Sequence, residues 1–113
     1  LSGRADDMLV IRGVNVFPTQ IEEVLLKIEE IGPHYEILVE RKNRLDVMTI
    51  SVELIDDRLL DSYAKLSELE ARIKAALKSQ LGLATQIRLV APNSLKRFEG
   101  KAKRVTDLRK DGL

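Results

Sequence analysis

Two runs of alternating residues in the middle of the chain restrict the possible folds more than any other feature. Tyr35, Ile37 and Val39 alternate with Glu36, Leu38 and Glu40, while Met48, Ile50, Val52 and Leu54 alternate with Val47, Thr49, Ser51 and Glu53. A period of two places each apolar set on one face of a strand. The polar connection Arg41-Lys42-Asn43-Arg44 has hairpin length, so the two strands are predicted to pair antiparallel.

The flanking segments supply the layer that covers this hairpin. Thr19 with Glu22 forms a capping-box pattern, and Ile21, Val24, Leu25, Ile28 and Ile31 follow at helical spacing until Gly32-Pro33 stops the helix. Asp61-Ser62 can cap a second helix whose apolar face runs Leu66, Leu69, Ile73, Ala76 and Leu77 and ends at Gly82. Ile87, Leu89 and Ala91 mark another strand, broken by Pro92-Asn93-Ser94. Ahead of all these, Leu9 to Ile11 and Val14 to Phe17 are β-branched runs separated by Arg12-Gly13, as in a tight hairpin, and Pro18-Thr19 ends the second run. The predicted fold class is α+β: a small antiparallel sheet with two helices on one face, of ferredoxin-like type, preceded by a hairpin and followed by a basic tail. In that tail Val105, Leu108 and Leu113 are expected to dock a short terminal helix.

Composition narrows function mostly by exclusion. With 19 basic and 18 acidic residues, a net charge of +1 predicts no partner. There is no cysteine, which rules out disulfides and thiolate metal sites, and the single histidine, His34, cannot build a zinc centre from this chain's nitrogen and sulfur ligands. Lacking a serine-aspartate constellation, His34 reads as a surface or capping residue. No stretch has the length and apolarity of a membrane span and no signal-peptide pattern opens the chain, so a cytoplasmic location is expected. No GxxxxGK[ST] or GxGxxG loop occurs, so the chain is not expected to bind ATP alone.

The residues able to carry chemistry lie toward the two ends. Lys101 follows Gly100 in a loop-like stretch with Lys96, Arg97, Lys103 and Arg104 nearby. A lysine on a flexible loop is a mobile point charge that can reach an anionic centre in another domain. On the residues alone, a solvated basic loop is the simpler reading of the run. Arg4 is a permanent planar donor suited to phosphate or ribose hydroxyls, or else a frayed terminal arginine. Asp6 and Asp7 do not form a catalytic carboxylate pair, because adjacent side chains diverge along a strand.

Read together, Gly3-Arg4-Ala5-Asp6-Asp7, the string from Met8 through Asn15-Val16-Phe17-Pro18-Thr19-Gln20-Ile21-Glu22-Glu23, and Glu99-Gly100-Lys101-Ala102-Lys103-Arg104-Val105 resemble the hinge and lysine motifs of adenylate-forming enzymes. Within that superfamily of acyl-CoA ligases, luciferases and peptide-synthetase adenylation domains, the chain is most similar to the phenylacetate-CoA ligase branch. The resemblance spans the whole chain and implies a C-terminal lid domain over residues 1–113, with a hinge segment at 1–7, a core at 8–91 and a lysine-motif tail at 92–113. It further implies that Lys101, after the motif glycine Gly100, is the catalytic lysine of adenylation. Arg4 would bind the nucleotide, Asp6 would be the hinge, and Gly13 would border the channel for the pantetheine arm of coenzyme A. Many acyl-CoA synthetases carry a basic residue two positions after that glycine; this chain has Asn15. The implied cofactors, in the full-length enzyme, are ATP/AMP with magnesium, and coenzyme A. The implied partners are a small-molecule carboxylate and an N-terminal adenylation domain, so the chain is expected to be an inactive fragment by itself.

The competing reading is a ferredoxin-like module whose basic tail, Lys96 to Lys110, binds nucleic acid. Phe17, Tyr35, Tyr63 and Phe98 are the only aromatics and do not form a base-stacking strand motif, and the net charge is too small, so no nucleic-acid partner is expected. A regulatory small-molecule domain on the same fold has no residue evidence in its favour.

Overall fold

A computed structural model describes residues 8–95 and 105–109. The two alternating runs form its centre. Strand β3 (Ile31–Lys42) pairs antiparallel with β4 (Leu45–Leu54), and Tyr35, Ile37 and Val39 stand directly opposite Val52, Ile50 and Met48. All six side chains are buried. Arg41 and Lys42 continue the pairing, so the connection shrinks to Asn43-Arg44. Both residues have positive φ, 52° and 69°, the geometry of a two-residue turn whose twist matches that of its strands.

Strand β1 (Leu9–Ile11) and β2 (Val14–Val16) form the expected separate hairpin, and Ile11 and Val16 anchor it in the core with no exposed surface. Helix α1 covers only Pro18–Leu25. Its start differs from the Thr19-Glu22 expectation: Pro18 occupies the first turn, where its missing N–H costs nothing, and the Gln20 side chain accepts from the Phe17 N–H at 2.9 Å. Its end differs as well. Ile31 keeps the apolar period but belongs to β3, paired with Leu54, so Gly32-Pro33 lies inside a strand rather than after a helix. The pairing slips between Ile31 and Tyr35, as it must near a proline that cannot donate to the ladder.

Helix α2 (Tyr63–Leu81) follows a short 3₁₀ turn at Asp57–Asp61. The Ser62 hydroxyl accepts from the Lys65 N–H, and Gly82 closes the helix in the left-handed conformation at φ 85°. Leu69, Ile73, Leu77 and Leu81 form its buried stripe, which joins Ile21, Val24 and Leu25 of α1 over the apolar face of the sheet. Strand β5 (Gln86–Val90) lies beside β4.

The sheet corrects the fully antiparallel, ferredoxin-like expectation. Its order is β5-β4-β3-β6, and only the central pair is antiparallel; β5 runs parallel to β4, and β6 (Val105–Asp107) parallel to β3. The cause is the crossover. A helix as long as α2 carries the chain back along the sheet, so the next strand restarts in the direction of the one before. Val105 is likewise part of a strand, not of a terminal helix: β6 pairs with Ile37–Val39, and the Leu108 N–H donates to the Val39 carbonyl at 2.7 Å. The fold remains α+β, with both helices on the apolar face.

Two substitutions test this packing. Ile73→Ala, at a fully buried position of α2, is expected to destabilise the chain by about 3 kcal/mol through lost burial and a residual cavity. At Gly82 a Cβ would meet no atom within 4 Å, so Gly82→Ala is expected to cost only about 1 kcal/mol, from backbone strain. Urea unfolding measures both; equal losses would contradict the different causes.

Candidate functional site

Among the implied site residues, Gly13 falls within the described structure; Arg4, Asp6, Gly100 and Lys101 lie outside the described residues, as do Lys103 and Arg104. Gly13 forms the β1–β2 turn with Arg12, at φ 78° and 53° respectively. A Cβ added at Gly13 would meet nothing within 4 Å, so space does not require this glycine, although its positive φ favours one. Asn15, exposed on β2, stands opposite Val10. His34 is half-buried in β3.

The described residues on either side of segment 96–104 are held by the sheet. Before it, the Leu95 N–H donates to Glu53 Oε2 at 2.9 Å, and Glu53 is itself buried on the sheet face away from the helices. After it, Val105 pairs with Ile37. The two attachments sit on the adjacent central strands β4 and β3.

An arginine–carboxylate cluster beside Gly13 was not anticipated from the sequence. Asp46, at the start of β4, is its centre. The Arg12 N–H donates to Asp46 Oδ2 at 3.3 Å, Arg12 Nε to the Asp46 carbonyl at 2.8 Å, Arg41 Nε to Oδ1 at 3.0 Å, and Arg109 Nη1 to Oδ2 at 3.0 Å. Arg109 Nη1 also reaches the Val10 carbonyl at 2.7 Å, while its Nε and Nη2 hold both oxygens of Asp107 at 2.9 and 2.8 Å. One guanidinium thus ties β1, β4 and β6 together. Arg109 is mostly shielded, with 14% of its side chain exposed, which makes such charge-assisted bonds stronger than ordinary surface pairs.

The carboxylates respond accordingly. Partial burial works to raise the Asp46 pKa, but the Arg12 N–H and the Arg41 and Arg109 guanidiniums outweigh it and hold the carboxyl below the usual aspartate range. Asp107 is lowered chiefly by its hydrogen bonds from Arg109, and those same bonds raise the arginine. Both carboxylates are therefore charged at neutral pH. The Arg41–Asp46 pair was open to sequence reasoning, since the two face each other once the turn is known to have two residues. The contacts of Arg12 and Arg109 had no local signal.

Above Asp46 the two turns border an open surface cleft of about 430 Å³ lined by Arg12, Arg41, Arg44, Leu45 and Asp46. Arg44 is exposed and makes no hydrogen bond or ion pair among the described residues. The arrangement presents two tethered guanidiniums, those of Arg12 and Arg41, to solvent beside a glycine turn, which suits anion binding. No group of three or more His, Cys, Asp or Glu side chains among the described residues is placed to hold a metal ion.

Comparison with known proteins places this chain in a family. Residues 13–109 match the model of the AMP-binding enzyme C-terminal domain. The chain is 43% identical over 109 residues to the phenylacetate-coenzyme A ligase of Escherichia coli (strain K12), an alignment covering 96% of the chain and 25% of that enzyme. It therefore spans about a quarter of the length of the curated relatives it matches. Among solved structures, a domain of phenylacetate-coenzyme A ligase from Bacteroides vulgatus ATCC 8482 aligns with a TM-score of 0.83 at 40% identity, covering 94% of this chain and 96% of that one. 2-Hydroxyisobutyryl-CoA ligase, in complex with 2-HIB-AMP and CoA in the thioesterification state, aligns with a TM-score of 0.82 at 32% identity, over 93% of this chain and 22% of the ligase. Matched in sequence over most of its length and in structure to a solved relative covered nearly end to end, the chain belongs to the family of AMP-binding enzyme C-terminal domains.

Proposed function

We propose that this chain is the C-terminal lid, residues 1–113, of an AMP-forming acyl-CoA ligase of the phenylacetate-CoA ligase type. The observation that carries the reading is the 40% identical ligase domain that matches it almost end to end. In the full-length enzyme, a carboxylate oxygen attacks the α-phosphorus of ATP, forming an acyl-adenylate and releasing pyrophosphate. The thiol of coenzyme A then attacks the acyl carbon, forming the thioester and releasing AMP. An aryl-acetate is the proposed acid, and the cytoplasm the proposed location; among the described residues no helix is long and apolar enough to cross a membrane.

Lys101 serves the first half-reaction. Its ammonium neutralises charge developing between the carboxylate and the α-phosphate, a role that needs reach and a compact charge more than rigidity. Gly100 is the motif glycine that precedes it, and the described residues on either side of segment 96–104, Leu95 and Val105, are attached to β4 and β3. Arg4 holds the nucleotide, and Asp6 is the hinge at which a few dihedrals turn the lid. Residues 1–7, 8–91 and 92–113 accordingly act as hinge, core and lysine-motif tail. After rotation the β1–β2 turn faces the active site, where Gly13 leaves a path for the pantetheine arm. Alternation of the lid lets one site serve two transition states. Magnesium would accompany ATP and be held by the phosphates and the N-terminal adenylation domain, where it would neutralise phosphate charge.

Three outcomes follow. In the full-length enzyme Lys101→Ala should slow adenylation by about 10²–10³-fold, as loss of one charge-stabilising donor typically does, with much less effect on thioester formation from supplied acyl-adenylate. Equal loss in both halves would contradict the role. Gly13→Leu should give the opposite split, slowing the thioester half by about 10²-fold through misplacement of the thiol; intact thioester formation would remove Gly13 from the channel. Residues 1–113 expressed alone should give a cooperative unfolding transition yet no acyl-CoA, and turnover by this piece would defeat the lid reading.

A further inference from the structure

The hairpin that carries Gly13 is too small to set its own angle to the rest of the domain. Its strands have three residues each, and an isolated two-stranded ribbon is marginally stable at best in water. Ile11 and Val16 pin it in the core, but those contacts stop short of Arg12 and Gly13, which are exposed. Asp46 reaches the turn itself. Its Oδ2 accepts the Arg12 N–H at 3.3 Å and its carbonyl accepts Arg12 Nε at 2.8 Å, so the first turn residue is held through main chain and side chain at once. Arg109 holds the strand behind the turn, donating from Nη1 to the Val10 carbonyl at 2.7 Å and to Asp46 Oδ2 at 3.0 Å.

Both ends of this clamp are costly choices. Arg12 sits at φ 53°, a region that glycine and asparagine enter more easily than arginine. Strain of this kind persists where the surroundings over-determine the conformation. Glycine at this position forms the same turn with less strain but loses the Nε bond to β4. Asp46 has only 12% of its side chain exposed, and a carboxylate so shielded needs the donors it finds in Arg41, Arg109 and the Arg12 N–H. Shielded ion pairs are weak sources of stability, because desolvation offsets much of their attraction. What several charge-assisted bonds on one carboxylate supply is direction.

We propose that Asp46 is a positioning residue of the thioester half-reaction, which with Arg109 holds the Arg12-Gly13 turn at one angle to the sheet. The proposal rests on the ligase reading and on Gly13 bordering the path of the thiol. A group at such a path must keep its place closely, because a misplacement of about 1 Å can cost about 10²-fold in rate. The lid presents this turn by rotating as a body, so the angle of the turn to the sheet decides where it arrives. Adenylation, which precedes that rotation, places no such demand on the turn.

The test measures the two half-reactions separately in the full-length enzyme, with coenzyme A and with pantetheine as the thiol. Asp46→Asn keeps the size of the side chain but replaces an accepting oxygen by a donor. It should slow thioester formation from supplied acyl-adenylate about tenfold, the scale of one lost charge-assisted bond, and leave adenylation within about twofold. Arg12→Gly cuts the side-chain tether and relieves the positive φ, so it should slow the same half with little loss of stability to urea. A purely structural role does not produce that combination. Both variants should slow pantetheine as they slow coenzyme A, since the placement of the turn does not depend on what lies beyond the thiol arm. Unchanged thioester formation, equal loss in both halves, or a loss confined to coenzyme A overturns the proposal.

Hydrogen exchange of the peptide spanning residues 9–16, in the same full-length variants, separates this failure from failure of the ligase reading. Faster exchange there in Asp46→Asn, with α2 unchanged and the thioester half slowed, supports the clamp and its role. A wild-type enzyme that makes no acyl-CoA rejects the ligase reading and the role together, even where Asp46→Asn speeds exchange in that peptide. Acyl-CoA production with unchanged exchange and unchanged thioester rates in the variants rejects the clamp alone.

Discussion

The register of the β3–β4 hairpin is the constraint on which the rest of the structure depends. It sets Tyr35, Ile37 and Val39 opposite Val52, Ile50 and Met48, and a slip of one residue would turn one of these rows to the wrong face. The two-residue turn at Asn43-Arg44 fixes that register. Both helices pack on the face it creates, β5 extends it from Thr49–Glu53, and β6 from Ile37–Val39. The short β1–β2 hairpin enters the same core through Ile11 and Val16.

The hairpin register also builds the electrostatic cluster. Arg41 and Asp46 face each other because the turn between them is tight, and from there Asp46 gathers Arg12 from the first hairpin and Arg109 from the tail. Three segments far apart in the chain are fastened at one carboxylate. For a domain that is proposed to rotate as a unit, such a fastening has a mechanical sense: the glycine turn at one end of the chain and the strand that follows the lysine segment are both bonded to one stiff sheet. Rotation at a hinge then carries them together instead of bending the domain.

The candidate site was legible in two different ways. Lys101, Arg4, Asp6 and Gly13 stood out because short motifs resemble a known family, and such motifs depend on residue order rather than on folding. Of these, Gly13 has a described position, and its open, positive-φ turn is compatible with the role implied for it. The arginine cleft had no motif. Arg12, Arg41 and Arg44 look like ordinary surface charges in the sequence, and only their convergence on Asp46 distinguishes them.

By itself the sequence determined the local features: the faces of β3 and β4 from a period of two, the limits of α2 from Ser62 and Gly82, and the turn at Arg12-Gly13. Each follows from side chains and backbone preferences within a few residues of one another. Only the tertiary structure decided that β5 and β6 run parallel to their neighbours, that Ile31 starts a strand instead of ending a helix, and that residues 12, 41, 46 and 109 meet. Those outcomes depend on the path of the chain between distant segments. Ile31 satisfies the helical period and the strand pairing equally well in sequence, and the buried place opposite Leu54 settles the choice.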